Sequence, residues 1–150
     1  MMWGCISSHG PGYVCEIDGN MTQSHYLDIL SKEFQQTLSE LNIEGQISVI
    51  HDGAPCHRSI SVLNYFKKKK IELIKFPPYS PDLNIIENAW HITKTRIYKK
   101  KIQFKSKENL RKAFCDEFYC ISTEYCQKLA SSMPKRLLQV IKNKGYQTSY

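Results

Sequence analysis

Two short apolar runs, residues 47–51 and 71–76, constrain this chain more than any other feature. Both are rich in aliphatic and β-branched residues, and both give way to turn-forming stretches, which reads as two buried strands. Between them, Val62, Leu63 and Phe66 mark the buried side of a helix over residues 59–69. A strand–helix–strand unit is how parallel neighbours in a sheet are joined, because a tight hairpin cannot connect them. The first run closes on Asp52, and Gly53, Ala54 and Pro55 follow at once. A carboxylate in that place has two readings. Its side chain can bond nearby amides and make the turn, or it can be displayed where α/β sheets hold their ligands, at the exits of strands.

The flanking segments fit the same class. Residues 2–9 and 13–17 read as a hairpin turning at His9–Gly10–Pro11–Gly12, and Thr22 caps a helix reaching about residue 42. Leu27, Leu30, Phe34, Leu38 and Leu41 form its apolar stripe. After the second run, Pro77, Pro78 and Pro81 stiffen a loop by fixing φ and removing donors. Asn84 caps a helix to about residue 100, with Ile86, Trp90, Thr93 and Ile97 on its inner face. Helices over 107–121 and 124–143 follow, the second expected to break before Pro134 and to stop at Gly145. The order predicts one α/β domain, a mixed sheet with a helical C-terminal layer.

Lys and Arg number 21 against 14 Asp and Glu, a net charge of +7, and the excess is clustered at 67–70 and 94–107. Clustered basic charge suits a polyanion such as nucleic acid; the first run also reads as a solvated helix end favoured by the helix dipole. No apolar run approaches the ~20 residues of a membrane span, and the first residues lack a secretory pattern. The six cysteines include no C-x-x-C pair. Cys56 beside His57, or Cys120 with Cys126, completes no tetrahedral set, so reduced thiols of a cytosolic or nuclear protein are expected.

A second carboxylate, Glu87, follows the proline loop. Asn84 and Glu87 have capping-box spacing. With Asp52 the same residue supports another reading. The two acids are separated by 34 residues, and each lies at or just beyond the exit of an apolar strand. On parallel neighbouring strands they would share one sheet edge and could hold a divalent ion, which takes hard oxygen ligands. His57 reads either as a group that touches DNA or orients such a site, or as a histidine at a helix start with no metal role. His91 and Lys94 share a helix face with Glu87, near phosphate or simply in solvent. Trp90 reads as core and Asp82 as a turn residue.

Met1–Gly12, "IDGNMT", "HDGAPCH", "PPYSPDLNIIENAW" and "SSMPKRLLQVIKNKG" together resemble the catalytic domain of Tc/mariner transposases, in order and nearly end to end. The resemblance implies a ribonuclease-H-like α/β fold, a mixed sheet flanked by helices. It implies a DDE endonuclease and strand transferase that acts on transposon ends in DNA transposition and integration. It further implies Mg2+ or Mn2+, DNA and a possible homo-oligomer as partners, no membrane, no small-molecule cofactor, and a nuclear location. Asp52 matches the second acid of the triad and Glu87 the third; both are the expected catalytic and metal-binding residues. The family's first acid lies on a central first strand upstream of the stretch matched by Met1–Ser8, and the paired helix-turn-helix region lies further upstream. The expectation is a partial catalytic domain, truncated at its N-terminal side, with two of three acids and little or no activity alone. The alternative is a non-enzymatic remnant that binds DNA or a partner through Lys94, Arg96, Lys99, Lys100 and Lys101.

Overall fold

A computed structural model of the chain describes residues 1–75, 77–78 and 80–150. Phe76, expected to end the second apolar run, and Tyr79 of the proline loop lie outside the described residues.

The chain begins with a hairpin, β1 (Met2–Ser7) and β2 (Gly10–Glu16). It turns at Ser8–His9, two residues earlier than the Gly-Pro-Gly stretch suggests, because Ser7 pairs with Gly10 and Ile6 with Pro11. A bulge sets Cys5 against Gly12 and Tyr13, so the register changes between Gly4 and Ile6. Pro11 sits beside this irregularity, where its missing donor does least harm. Thr37 serves the bulge: its Oγ1 accepts the Tyr13 N–H at 2.9 Å and donates to Glu33 O at 2.8 Å. The approach is close enough that a Cβ on Gly12 would lie 2.5 Å from Thr37 Cγ2.

Thr22 caps the next helix as expected, its Oγ1 accepting the His25 N–H at 3.2 Å. That helix runs as α1 (Gln23–Ile29), a π-helical turn (Leu30–Phe34) and α2 (Gln35–Glu40). Then follow β3 (Ser48–Val49), α3 (Ile60–Lys68) and β4 (Glu72–Leu73). β3 and β4 are parallel, as the strand–helix–strand order predicts, with Glu72 N–H to Ile47 O at 2.8 Å and Ile74 N–H to Val49 O at 3.0 Å. They are shorter than the apolar runs. A 3-10 turn (Pro81–Leu83) leads into α4 (Ile85–Lys99), and α5 (Lys107–Tyr119) and α6 (Thr123–Lys142) complete the fold. α6 continues through Pro134 without the expected break. Proline forfeits one bond to the preceding turn; burial of Cys126 and Leu129 before it and Arg136 after it holds both halves in line.

Among the described residues the sheet is not continuous. β1–β2 and β3–β4 are separate two-stranded sheets, each covered by its own core. Tyr26, Leu30, Phe34, Val62, Phe66 and Ile71 pack over β3–β4. Val14, Ala89, Phe118, Ile121 and Cys126 pack the hairpin against α4, α5 and α6. β1 serves both: Trp3 and Cys5 join the first core, Met2 and Ile6 the second. That division follows from the two-residue period of a strand. Leu63, expected inside, is 46% exposed, because the helical face defined by Val62 and Phe66 turns it outward.

Candidate active site in the cleft between the sheets

A cleft of about 960 Å3 separates the two sheets, and both β1 and β3 line it. Asp52 and Glu87 line it too, so the structure brings the two sequence-predicted acids to one opening.

Asp52 makes the turn that one of its two sequence readings asks for. Its Oδ1 accepts the Ala54 N–H at 3.1 Å, closing the turn. The same oxygen lies 2.6 Å from His57 Nδ1. No hydrogen bond to Oδ2 is made among the described residues, and the side chain is 63% exposed. The His57 ring is buried. It tilts against the Tyr26 ring at a centroid distance of 4.1 Å and stacks on His51 at 5.0 Å with an interplanar angle of 10°. Tyr26 donates its hydroxyl to His51 Nδ1 at 3.1 Å. Burial, and after it the Asp52 charge, push the Tyr26 phenol above its usual range, which keeps that donor in place. Burial, reinforced by His57 and opposed by Asp52, brings His51 down to about 4, so its ring is neutral at pH 7.

Glu87 is exposed and its carboxylate makes no hydrogen bond or ion pair among the described residues. The capping box is not formed. The Asn84 side chain makes no cap bond, and the Asn84 N–H is taken by Pro81 O at 3.0 Å. The 3-10 turn supplies the acceptor that Glu87 would otherwise provide, which leaves that carboxylate unengaged.

The lysine-rich stretch divides in two. Lys100 pairs with Glu117, and the Arg96 guanidinium donates to Cys120 O at 3.1 Å, so both tie α4 to α5. Lys94, Lys99 and Lys101 are exposed and make no ion pair among the described residues. His91 is exposed on α4; Trp90, expected as core, is only partly buried, packing on Phe118 at 5.2 Å while it also lines the cleft.

Sequence reasoning missed two groups. Tyr26 and His51, which frame His57, gave no pattern of their own. Arg136 did give one. Cys126, Leu129, Met133 and Arg136 recur at helical spacing, so the inner face of α6 falls on an arginine. Arg136 is 1% exposed. It donates to Asp82 O at 2.6 Å, Asn88 Oδ1 at 2.9 Å and Ser132 Oγ at 2.9 Å, with the Tyr150 ring at 4.7 Å. Asp82 in turn accepts the Thr148 N–H at 2.8 Å. These bonds fasten the first turns of α4, where Glu87 sits, to the C-terminal segment.

A hairpin, a parallel strand–helix–strand unit and flanking helices give a ribonuclease-H-like α/β fold, shared with solved structures. The catalytic domain of Mos1 mariner transposase, solved with raltegravir and Mg, has this fold. It is 19% identical, with a TM-score of 0.78 over 95% of this chain and 73% of that one. Mos1 transposase has also been solved with Mn and as a paired-end complex with the left transposon end. Residues 1–111 match the family profile described as DDE superfamily endonuclease, and the chain belongs to that family. The Tcb1 transposase of Caenorhabditis briggsae is 33% identical over 151 residues, covering 100% of this chain and 54% of the relative. The Tc3 transposase of Caenorhabditis elegans is 29% identical over 150 residues, covering 100% and 45%. The chain thus spans about half the length of these relatives.

Proposed function

We propose that this chain carries the second and third acids of a divalent-metal DNA endonuclease and strand transferase acting on transposon ends, and that the 150 residues alone cleave little or not at all. The observation that carries this reading is the joint presentation of Asp52 and Glu87 at one cleft, with Glu87 and one oxygen of Asp52 unengaged by protein. Two carboxylates supply the oxygen ligands that a hard ion such as Mg2+ or Mn2+ prefers. A bound divalent ion supplies charge stabilisation to the attacking and leaving oxygens of a phosphoryl displacement. A site of two carboxylates alone would leave developing charge at the phosphate undercompensated, which supports the expected inactivity.

The cleft supports the same reading from the side of the fold. β1 and β3 each have one strand neighbour, and unpaired strand edges are open to pairing. An extended segment bonded to both would join two small sheets into one mixed sheet and could bring the missing acid. Exposed Lys94, Lys99 and Lys101 favour a sequence-tolerant DNA contact whose affinity falls steeply with salt. No described helix is long and apolar enough to cross a membrane. A homo-oligomer and a nuclear location belong to this proposal.

The test is nicking of supercoiled plasmid in Mg2+ or Mn2+, with and without an upstream segment of a relative that carries its central strand and acid. Nicking is expected only with the segment, together with a higher melting temperature, and Glu87→Gln should abolish it. Efficient nicking by the unextended chain would overturn the inactivity; nicking that survives Glu87→Gln would overturn the site. In parallel, changing Lys99 and Lys101 to Ala should weaken binding to unrelated duplexes alike. Strong preference for one short sequence would contradict that contact.

A further inference from the structure

The His57 ring packs between Tyr26 and His51, but that packing leaves one of its atoms unmet. It is buried, yet its Nε2 has no hydrogen-bond partner, and an unpaired buried nitrogen is a destabilising feature that calls for a compensating role. Its other nitrogen makes the short contact to Asp52 Oδ1 at 2.6 Å and lies 3.3 Å from the Asp52 carbonyl oxygen. Both partners are acceptors, so Nδ1 donates to them. The ring cannot easily rotate away, since Tyr26 and His51 hold its two sides.

We propose that His57 is the positioning residue of Asp52: held between Tyr26 and His51, its Nδ1–H binds Oδ1 and leaves Oδ2 as the oxygen presented to a divalent cation in the cleft. This inference rests on the metal reading above and adds a division of labour to it. The Ala54 amide and His57 both act on Oδ1, so the carboxylate cannot spin about its terminal torsion to offer both oxygens. Asp52 then binds as a one-oxygen ligand in a fixed direction. Outer partners that orient a metal-binding side chain in this way typically change affinity ~10–100-fold when removed.

The probe is Mn2+ alone, titrated into the full 150-residue chain and followed by water-proton relaxation, for wild type, Asp52→Asn, His57→Leu and His57→Asn. Near-UV circular dichroism reports whether each variant folds. Wild type should bind, Asp52→Asn should not, and His57→Leu should bind ~10–100-fold more weakly. His57→Asn, whose amide can stand in for Nδ1–H, should recover most of the loss, which a purely space-filling role would not predict. Long-range 15N spectra of the wild type should show His57 as the Nδ1–H form. Binding by folded His57→Leu equal to wild type, or an Nε2–H form, overturns the positioning role and leaves the metal reading standing. No Asp52-dependent binding in wild type overturns the metal reading itself, and this inference with it. Should His57→Leu fail to fold, the wild-type spectrum and His57→Asn decide.

Discussion

His51 shows how a single residue couples the cleft to pH. Burial is the main reason its ring sits near 4 rather than its ordinary 6.5, with His57 adding to the effect and Asp52 working against it. Between those two values the unfolded chain binds a proton that the folded chain refuses. Stability therefore falls as pH drops through this window and rises as pH climbs back. The melting temperature of the wild type should decline more steeply from neutral pH towards pH 4 than that of His51→Asn, which keeps an acceptor for Tyr26 but does not titrate. Parallel pH profiles for the two would refute this. At this scale the sequence is informative about charge and poor about partners. Asp52 was readable both as a turn-maker and as a displayed ligand, and the turn is the role its Oδ1 takes. Glu87 was equally readable as half of a capping box. Only the path of the 3-10 turn, which fills the Asn84 amide, decides against it.

At the level of elements, helix positions were legible because apolar spacing and a cap such as Thr22 are local signals. The strands were overestimated, since pairing depends on neighbours that a run of apolar residues cannot specify. Helix ends were misread for a different reason. α6 stops with Lys144, not Gly145, as its first left-handed residue, at φ 55°. Lys144 N–H bonds to Ile141 O at 3.1 Å and Gly145 N–H to Val140 O at 2.9 Å, the paired bonds of a Schellman ending. α3 ends the same way at Lys70, φ 57°, with Ile71 N–H to Phe66 O at 3.0 Å. A side chain in that conformation costs ~1–2 kcal/mol, part of which glycine would give back through its freer unfolded state. Lys70→Gly should therefore stabilise the chain by about 0.5–1 kcal/mol, a rise of ~2–4 °C per kcal/mol in thermal unfolding. Lys69→Gly, one residue earlier in right-handed backbone, should lower it.

Across the whole molecule, Arg136 joins parts that lie far apart in sequence: α6, the 3-10 turn, the first turns of α4 and the C-terminal residues. Arg136→Met keeps much of the packing but leaves Asp82 O and Asn88 Oδ1 without their donor. A buried acceptor stranded in this way costs ~1–3 kcal/mol; these two are part-buried, and urea unfolding should record a loss of about that order for the pair. A loss no larger than that of an exposed control such as Lys135→Met would show that the guanidinium is not the tie. Nothing about the C-terminal helix announces this role except the helical face on which Arg136, its one arginine, falls.

β1 has a bearing on how the molecule comes apart. Its odd-numbered side chains, Trp3 and Cys5, belong to one core, and Met2 and Ile6 to the other. Peeling this strand away strips a wall from both cores in one event, and a slip of one residue would send each side chain to the wrong half. The two half-sheets, though unbonded to each other, are therefore expected to open as one cooperative unit. Slow-exchanging amides on α3 and on α5 would then share a single opening free energy, set by a six-residue strand at the edge of the cleft.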